Sequence, residues 1–144
     1  MNNMRKLGLD YGDSRIGVAI TDSLGITAQG LETIHHNGND KVALKRLEEI
    51  FNEYDIDTIV IGMPINMDGS KTDSVEVTNK FIHKLKCKFS KIPIEPVDER
   101  LTTVAAHKTM NYLNINKNEK RNIVDTISAV YILETYMNKL KNEN

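Results

Sequence analysis

The stretch that decides the fold runs from residue 4 to residue 21 and reads MRKLGLDYGDSRIGVAIT. Apolar side chains alternate with small or polar ones on both sides of its centre, and this period of two predicts two strands. Gly12, Asp13 and Ser14 have the chemistry of a turn, so the two strands should form an antiparallel hairpin. Asp10 then closes the first strand with a carboxylate.

The rest of the chain continues the hairpin and then alternates helices with strands. Residues 26–35 predict a third strand, which completes a meander. Helical spacing, continuous apolar runs and capping residues predict the remaining elements: helices at 41–54 and 70–88, strands at 58–61 and 92–97, and helices from Thr102 or Thr103 to 112 and from about 116 to 139.

Strands joined through helices must run parallel to one another, which fixes the expected architecture. Pro93 and Pro96 remove ladder donors and assign the strand at 92–97 to an edge of the sheet. The sequence therefore predicts an α/β fold with a five-stranded mixed sheet. Three antiparallel strands and two parallel ones make up this sheet, and helices cover both faces.

Composition narrows the class of protein. The 144 residues, 40% hydrophobic and 27% charged, fit one globular domain that we expect to span residues 1–144. The chain has neither an apolar run of membrane-spanning length nor a signal-peptide segment at its start. Cys87 is the only cysteine, which rules out an internal disulfide, and we expect it to be partly buried. These features favour the cytoplasm.

The net charge of −1 argues against nucleic-acid binding by bulk charge. Five lysines nevertheless lie between residues 80 and 91, with no acid before Glu95. They form either a solvated helix face or a phosphate-contacting patch. His35 and His36 are neighbours on a predicted strand and point to opposite faces, so we expect surface or core roles for them rather than a shared metal.

Three carboxylates on separate elements are candidates for a divalent-metal site: Asp10, Glu99 and Asp125. Mg²⁺ prefers oxygen ligands, and such ions can stabilise both the attacking and the leaving oxygen of a phosphodiester. Each acid also has a simpler interpretation. Asp10 could be a turn residue, and Glu99 could form a surface ion pair with Arg100. Asp125 could be stabilised by the dipole at the N-terminus of its helix, although it lies about two turns inside the predicted helix.

Four segments, in order along the chain, closely resemble the YqgF family: GLDYGDSRIGVA at 8–19, GMPINMDGS at 62–70, VDERLTT at 97–103 and DTISAVYIL at 125–133. Members of this family are described as Holliday junction resolvases, or as nucleases that mature the 5′ end of pre-16S ribosomal RNA. The resemblance spans nearly the whole chain and implies a ribonuclease H-like fold. Alanines often follow the aspartate of the last motif, whereas this chain carries Ser128 and Ala129, with Thr126 beside the acid.

The resemblance also implies an active site. It assigns catalytic and metal-binding roles to Asp10, Glu99 and Asp125, with Mg²⁺ or Mn²⁺ as cofactor and hydrolysis of a phosphodiester as the reaction. Contacts to substrate are expected from basic residues near these acids, from the start of the third predicted helix and from the loop at 63–70. The residues are Arg15, Arg100, Lys120, Arg121, Thr102, Thr103, Asn66 and Asp68.

The expected partner is nucleic acid, either pre-16S ribosomal RNA or branched DNA, and no membrane. We expect a monomer or a weak homodimer, because symmetric cutting of a junction calls for a C2 dimer. Two other functions stay open. Sugar kinases and actin-like ATPases also carry Asp-x-Gly after a first strand, but they need two such domains. The second is a module that binds nucleic acid or ribosome precursors, or a transcription-associated factor, that kept the fold with little chemistry.

Overall fold

The computed structural model describes residues 4–64, 73–98 and 117–143, with the side chains at 73, 117–122 and 143 excepted. The strands are β1 Arg5–Tyr11, β2 Arg15–Thr21, β3 Ala28–His35, β4 Ile56–Met63 and β5 Ile94–Asp98. The helices are α1 Asp40–Glu53, α2 Asp73–Lys88 and α3 Lys117–Glu143. The predicted helix that ends at 112 lies outside the described residues.

The five strands form one sheet in the order β3-β2-β1-β4-β5. β2 is antiparallel to both β1 and β3, while β4 is parallel to both β1 and β5. This arrangement confirms the predicted mixed sheet. β1 occupies its centre, and β5 lies at an edge, as its prolines predicted.

The two faces of the sheet build two hydrophobic clusters, because side chains alternate along each strand. Leu7, Leu9, Ile16 and Val18 pack with α1 and α2 on one face. Small residues of β1 and β2 face the other side, where Ala19 and Val60 pack against α3. We call these the α1/α2 face and the α3 face. The predicted placement of helices on both faces is confirmed.

The connection from β3 to α1 is built around a buried histidine. His36 is 2% exposed, and its Nε2 lies 2.9 Å from the carbonyl oxygen of Gly12. Its Nδ1 accepts a hydrogen bond from the amide of Gly38 at 3.1 Å, so the Nε2 carries the proton that Gly12 accepts. Asn39 then caps α1 by accepting from the amide of Lys41. His36 is buried and His35 is exposed, which agrees with the expectation of surface or core roles for the two residues.

Two further features concern the surface of the described residues. Cys87 is exposed on α2, with its Sγ 3.8 Å from Nε2 of His83, so the prediction that it is partly buried was wrong. Periodicity places it next to the apolar stripe of α2 but does not tell how far that stripe extends around the helix. No helix among the described residues combines the length and the apolar composition needed to cross a bilayer.

Candidate metal centre

Asp10 lies near the carboxyl end of β1, the central strand. Leu7 and Leu9 point to the α1/α2 face, so the alternation of the strand turns Gly8 and Asp10 to the α3 face. The packing of Gly8 agrees, because a Cβ there would come within 2.9 Å of the carbonyl oxygen of Ala129 in α3. Asp10 is half-buried, as suits a carboxylate at the end of a central strand.

Asp125 approaches the same place from α3. It is the ninth residue of that helix, beyond the first turn where a helix dipole acts. A Cβ on Gly17 of β2 would overlap the backbone carbonyl of Asp125, so the helix crosses β2 at this glycine. Gly17 is the direct cross-strand partner of Asp10, and such partners point to the same face. The two predicted acids, far apart in sequence, are thus both neighbours of Gly17.

Gly17 is the part of this arrangement that we did not infer from the sequence. The signal was present, since Gly17 and Ala19 alternate with large apolar residues in β2. Small residues on one face of a strand allow another element to approach closely. Gly30 in β3 continues the row, with Cβ of Thr126 at 3.2 Å from the position that its own Cβ would take. α3 therefore rests on Gly8, Gly17 and Gly30 in three adjacent strands.

Arg15 forms an ion pair with Asp125. Its Nε donates to Oδ2 of Asp125 at 2.7 Å, and the two side chains are 30% and 16% exposed, respectively. A hydrogen bond between two charged groups is short and strong, and partial burial reduces screening by water. Of the basic residues expected to bind phosphate, Arg15 is the one whose side chain the structure describes, and it contacts a candidate metal ligand.

The hydroxyls around Asp125 have different surroundings. Thr126 donates to the carbonyl oxygen of Ile123 at 3.0 Å, so its hydroxyl is satisfied within its own helix. Ser128, one turn beyond Asp125, is fully buried, and its Oγ has no hydrogen-bond partner in the described part of the chain. A buried hydroxyl one turn from Asp125, with no partner among the described residues, is consistent with a polar site that is completed by further groups.

The other candidate residues are less fully placed. Lys120 and Arg121 lie in the first two turns of α3, but their side chains are outside the described set. Glu99 and the remaining substrate-binding candidates also fall outside the described residues: Asn66, Asp68, Arg100, Thr102 and Thr103.

Asp98, the last residue of β5, raises the question of whether it could replace Glu99. Val97 packs with the cluster on the α3 face, so the alternation of the strand turns Asp98 away from Asp10 and Asp125. Because β1, β4 and β5 are parallel, their carboxyl ends lie at the same end of the sheet. Asp98 therefore lies at the same end of the sheet as Asp10, but its side chain points to the α1/α2 face.

The donor set fits a hard divalent cation. Two carboxylates supply oxygen ligands, the kind that Mg²⁺ and Mn²⁺ prefer, and the only cysteine lies on α2 at the other face. Within the described ranges, no three His, Cys, Asp or Glu side chains form a complete ligand group. Glu99 follows β5 directly and is the predicted third ligand.

On the opposite face, Tyr11 anchors the end of β1. Its ring stacks on Phe81 at a centroid distance of 4.3 Å and on His36 at 5.6 Å. Its hydroxyl donates to Oδ1 of Asp40 at 2.8 Å, while Lys84 donates to Oδ2 at 2.9 Å. Burial, followed by the bond to Asp40, raises the pKa of Tyr11 well above its usual range. These contacts fix the strand end that carries Asp10.

The same contacts bear on the lysine cluster of α2. Lys84 pairs with Asp40, and Lys88 pairs with Glu48 at 2.6 Å, so two of the five lysines are bound to α1. They lie on the face of the sheet opposite Asp10 and Asp125. Of the two interpretations of this cluster, the structure favours a solvated surface with ion pairs over a phosphate patch that serves the candidate metal centre.

Comparison with known proteins identifies sequence relatives of this chain. The model of a family described as "RuvX: Holliday junction resolvase" matches residues 4–139. A protein of Ruminiclostridium cellulolyticum named "Putative pre-16S rRNA nuclease" is 54% identical over 95% of this chain and 96% of its own length. A protein of the same name from Acetivibrio thermocellus is 50% identical over 93% and 95% of the two chains.

Solved structures with a similar fold include RuvC of Thermus thermophilus. RuvC in complex with a Holliday junction superposes with a TM-score of 0.56 at 11% identity, covering 95% of this chain and 96% of that one. A second structure of RuvC from Thermus thermophilus gives a TM-score of 0.55 at 8% identity, covering 96% of this chain and 97% of that one. At such low identity the likeness concerns the fold, and it confirms the predicted ribonuclease H-like architecture.

Proposed function

Because this chain belongs to the RuvX family of Holliday junction resolvases, we propose that it is a metal-dependent nuclease whose reaction is the 5′-end maturation of pre-16S ribosomal RNA. The enzyme class is that of hydrolases acting on phosphodiester bonds, in agreement with the names of its relatives. The substrate comes from those names, since relatives more than 40% identical over nearly the whole chain carry it.

The observation that carries the proposal is the convergence of Asp10 and Asp125 on Gly17. Asp10 comes from the central strand and Asp125 from the helix that crosses it, so both carboxylates are held by rigid elements. Glu99, the next residue after β5, is the third acid of the proposal. Together these residues would hold Mg²⁺ or Mn²⁺.

A divalent ion at this site supplies Lewis acidity for the phosphodiester and for the water that cleaves it. The residues of the chain do the positioning. Asp10 and Asp125 provide the negative charge that retains the ion, and the close packing of α3 on the sheet fixes their separation. Arg15 lies beside Asp125, within reach of a substrate phosphate that approaches an ion held by this carboxylate.

A second candidate function is the resolution of four-way DNA junctions. The description of the family and the fold shared with RuvC, which was solved with a junction, support it. A junction resolvase would act as a C2 dimer, whereas RNA maturation does not require one. We propose a monomer or weak homodimer that works in the cytoplasm, where ribosomal precursors are processed.

The test is cleavage of three labelled substrates with Mg²⁺ or Mn²⁺: single-stranded RNA, a pre-16S 5′-leader transcript and a four-way DNA junction. We expect the wild type to cut the leader transcript, and Asp10→Asn to lower the rate by at least about a hundredfold. Asp13→Asn is the matched control, because Asp13 is an exposed acid in the adjacent turn. Preferential cutting of the junction would favour the second candidate. Binding without cutting of any substrate would favour a non-catalytic module.

A further inference from the structure

We propose that Arg15 is an internal counter-ion of Asp125, which a divalent metal must displace and which a substrate phosphate draws away. This proposal rests on the function given above and adds a coupling between its two ligands. In the free protein, Arg15 weakens metal binding. When nucleic acid binds, Arg15 transfers to a phosphate, and the carboxylate of Asp125 becomes available to the metal.

The Arg15–Asp125 pair is short and partly buried. The Nε of Arg15 lies 2.7 Å from Oδ2 of Asp125, so one of the two oxygens that a metal would use is already bound. The carboxylate is 16% exposed, and water therefore provides little screening between it and the guanidinium. A dication placed on this carboxylate would be repelled by Arg15 as long as the ion pair persists.

Arg15 is the first residue of β2. Its backbone is fixed, because its carbonyl accepts from the amide of Gly12 at 2.8 Å and it pairs with His35 in β3. It lies two positions before Gly17 in the same strand, so both point to the α3 face. The side chain, 30% exposed, has four rotatable bonds beyond this fixed point. It can move from Asp125 to a neighbouring phosphate without a change in the sheet.

Comparison with Arg46 supports a mobile role for Arg15. Arg46 donates to both oxygens of Glu32 through Nε and Nη2, at 2.9 and 2.6 Å, and also to Glu49. That arrangement engages all three guanidinium nitrogens of Arg46 and has a structural role. Among the described residues, Arg15 contacts Asp125 through Nε, and its paired terminal nitrogens form the edge suited to a phosphate.

Thermodynamic linkage gives the consequence of this arrangement. If phosphate removes Arg15 from Asp125 and thereby strengthens metal binding, the metal must strengthen phosphate binding by the same factor. The free protein then carries little metal, and the metal centre is completed together with the substrate. Such coupling would limit chemistry in the absence of the correct nucleic acid.

The test measures Mn²⁺ binding to the free protein by electron paramagnetic resonance, with no nucleic acid present. We expect Arg15→Gln to lower the Kd for Mn²⁺ by about 5- to 100-fold relative to the wild type. Arg15→Lys, which keeps a charge without the planar fork, should fall between them. Arg46→Gln is the matched control for the loss of one arginine, and its Kd should equal that of the wild type. Damage to the fold cannot produce tighter binding, and circular dichroism checks each variant.

A Kd that is unchanged or higher in Arg15→Gln overturns the proposal. Asp125→Asn should abolish Mn²⁺ binding, both alone and combined with Arg15→Gln. If it abolishes binding in neither case, the metal centre and the proposed function fail as well. If wild-type binding depends on Asp125 but Arg15→Gln leaves it unchanged, the counter-ion role fails while the function stands. The two failures are thus distinguishable.

The phosphate half of the proposal is tested with fluorescently labelled pre-16S leader RNA in EDTA, where no cutting takes place. Arg15→Gln should bind this RNA more weakly by fluorescence anisotropy, and the slope of log K against log salt should fall by about one. Wild-type RNA affinity and salt dependence in this variant would overturn the transfer of Arg15 to phosphate.

Discussion

At the scale of single residues, the candidate site depends on an atom that Gly17 lacks. A Cβ at this position would overlap the carbonyl of Asp125, whereas the row of glycines lets α3 rest directly on β1, β2 and β3. Glycine inside a strand costs stability relative to alanine, so its presence here needs a compensating reason. The compensation is the approach of Asp125 to Asp10.

We therefore predict that Gly17→Ala displaces α3 and destabilises the protein by about 1–3 kcal/mol, as overpacking does elsewhere. Gly30→Ala is the graded control, because its nearest neighbour is a side-chain carbon of Thr126 at 3.2 Å rather than backbone. Urea unfolding of both variants measures the difference. Equal stability and equal metal binding in the two variants would contradict the role of Gly17.

Ser128 supplies a second prediction at this scale. Its hydroxyl is buried with no partner among the residues that the structure describes, and an unsatisfied buried polar group costs about 1–3 kcal/mol. Ser128→Ala should therefore leave the free energy of unfolding unchanged or raise it by up to about 1 kcal/mol. A loss of more than about 1 kcal/mol in urea unfolding would instead show that the hydroxyl has a strong partner.

At the scale of elements, the network around Asp40 ties the end of β1 to both α1 and α2. Asp40 opens α1 and accepts from Tyr11 and Lys84. Burial works to raise the pKa of Asp40, but the hydrogen bonds from Lys84 and Tyr11 outweigh it and hold this pKa below its usual value. The strand end that presents Asp10 is thus stabilised from the opposite face.

The sign of the resulting pH dependence follows from the lowered pKa. Asp40 contributes fully above the unfolded pKa of about 3.9, and the contribution is lost as the pH falls through the folded value. We predict that Asp40→Asn lowers the free energy of unfolding at pH 7 by about 1–2 kcal/mol, and that the difference shrinks below about pH 4. Glu48→Gln, which breaks an exposed pair with Lys88, should have a smaller effect. A difference that stays constant from pH 7 to pH 3 would contradict this account.

At the scale of the whole molecule, the order of elements along the chain and the position of Asp10 at the end of β1 were accessible from sequence because local patterns determine them. Alternation defined β1 and β2, and the prolines assigned β5 to the edge. The contact between Arg15 and Asp125 was not accessible, since it joins residues 110 positions apart and depends on where α3 crosses the sheet. The pairing of Lys84 and Lys88 with α1 was hidden for the same reason, because sequence does not give the register between two helices.

A ligand that binds the folded protein but not the unfolded chain raises the free energy of unfolding. Metal binding at this site should therefore stabilise the whole protein. At a Mn²⁺ concentration one hundred times Kd, the stabilisation should be about 2.7 kcal/mol, which amounts to several degrees in Tm. A chelator should reverse the shift, and the double variant Asp10→Asn with Asp125→Asn should lack it. A shift of equal size in the double variant would place the metal elsewhere.

The most direct measurement is a crystal structure with Mn²⁺, in which anomalous scattering locates the ion. We predict a peak between the carboxylates of Asp10 and Asp125, within about 2.3 Å of an oxygen of each, and weakened or absent in Asp10→Asn crystals. A peak bound to other residues, with Asp10 and Asp125 too far apart to share an ion, would contradict the account of this site.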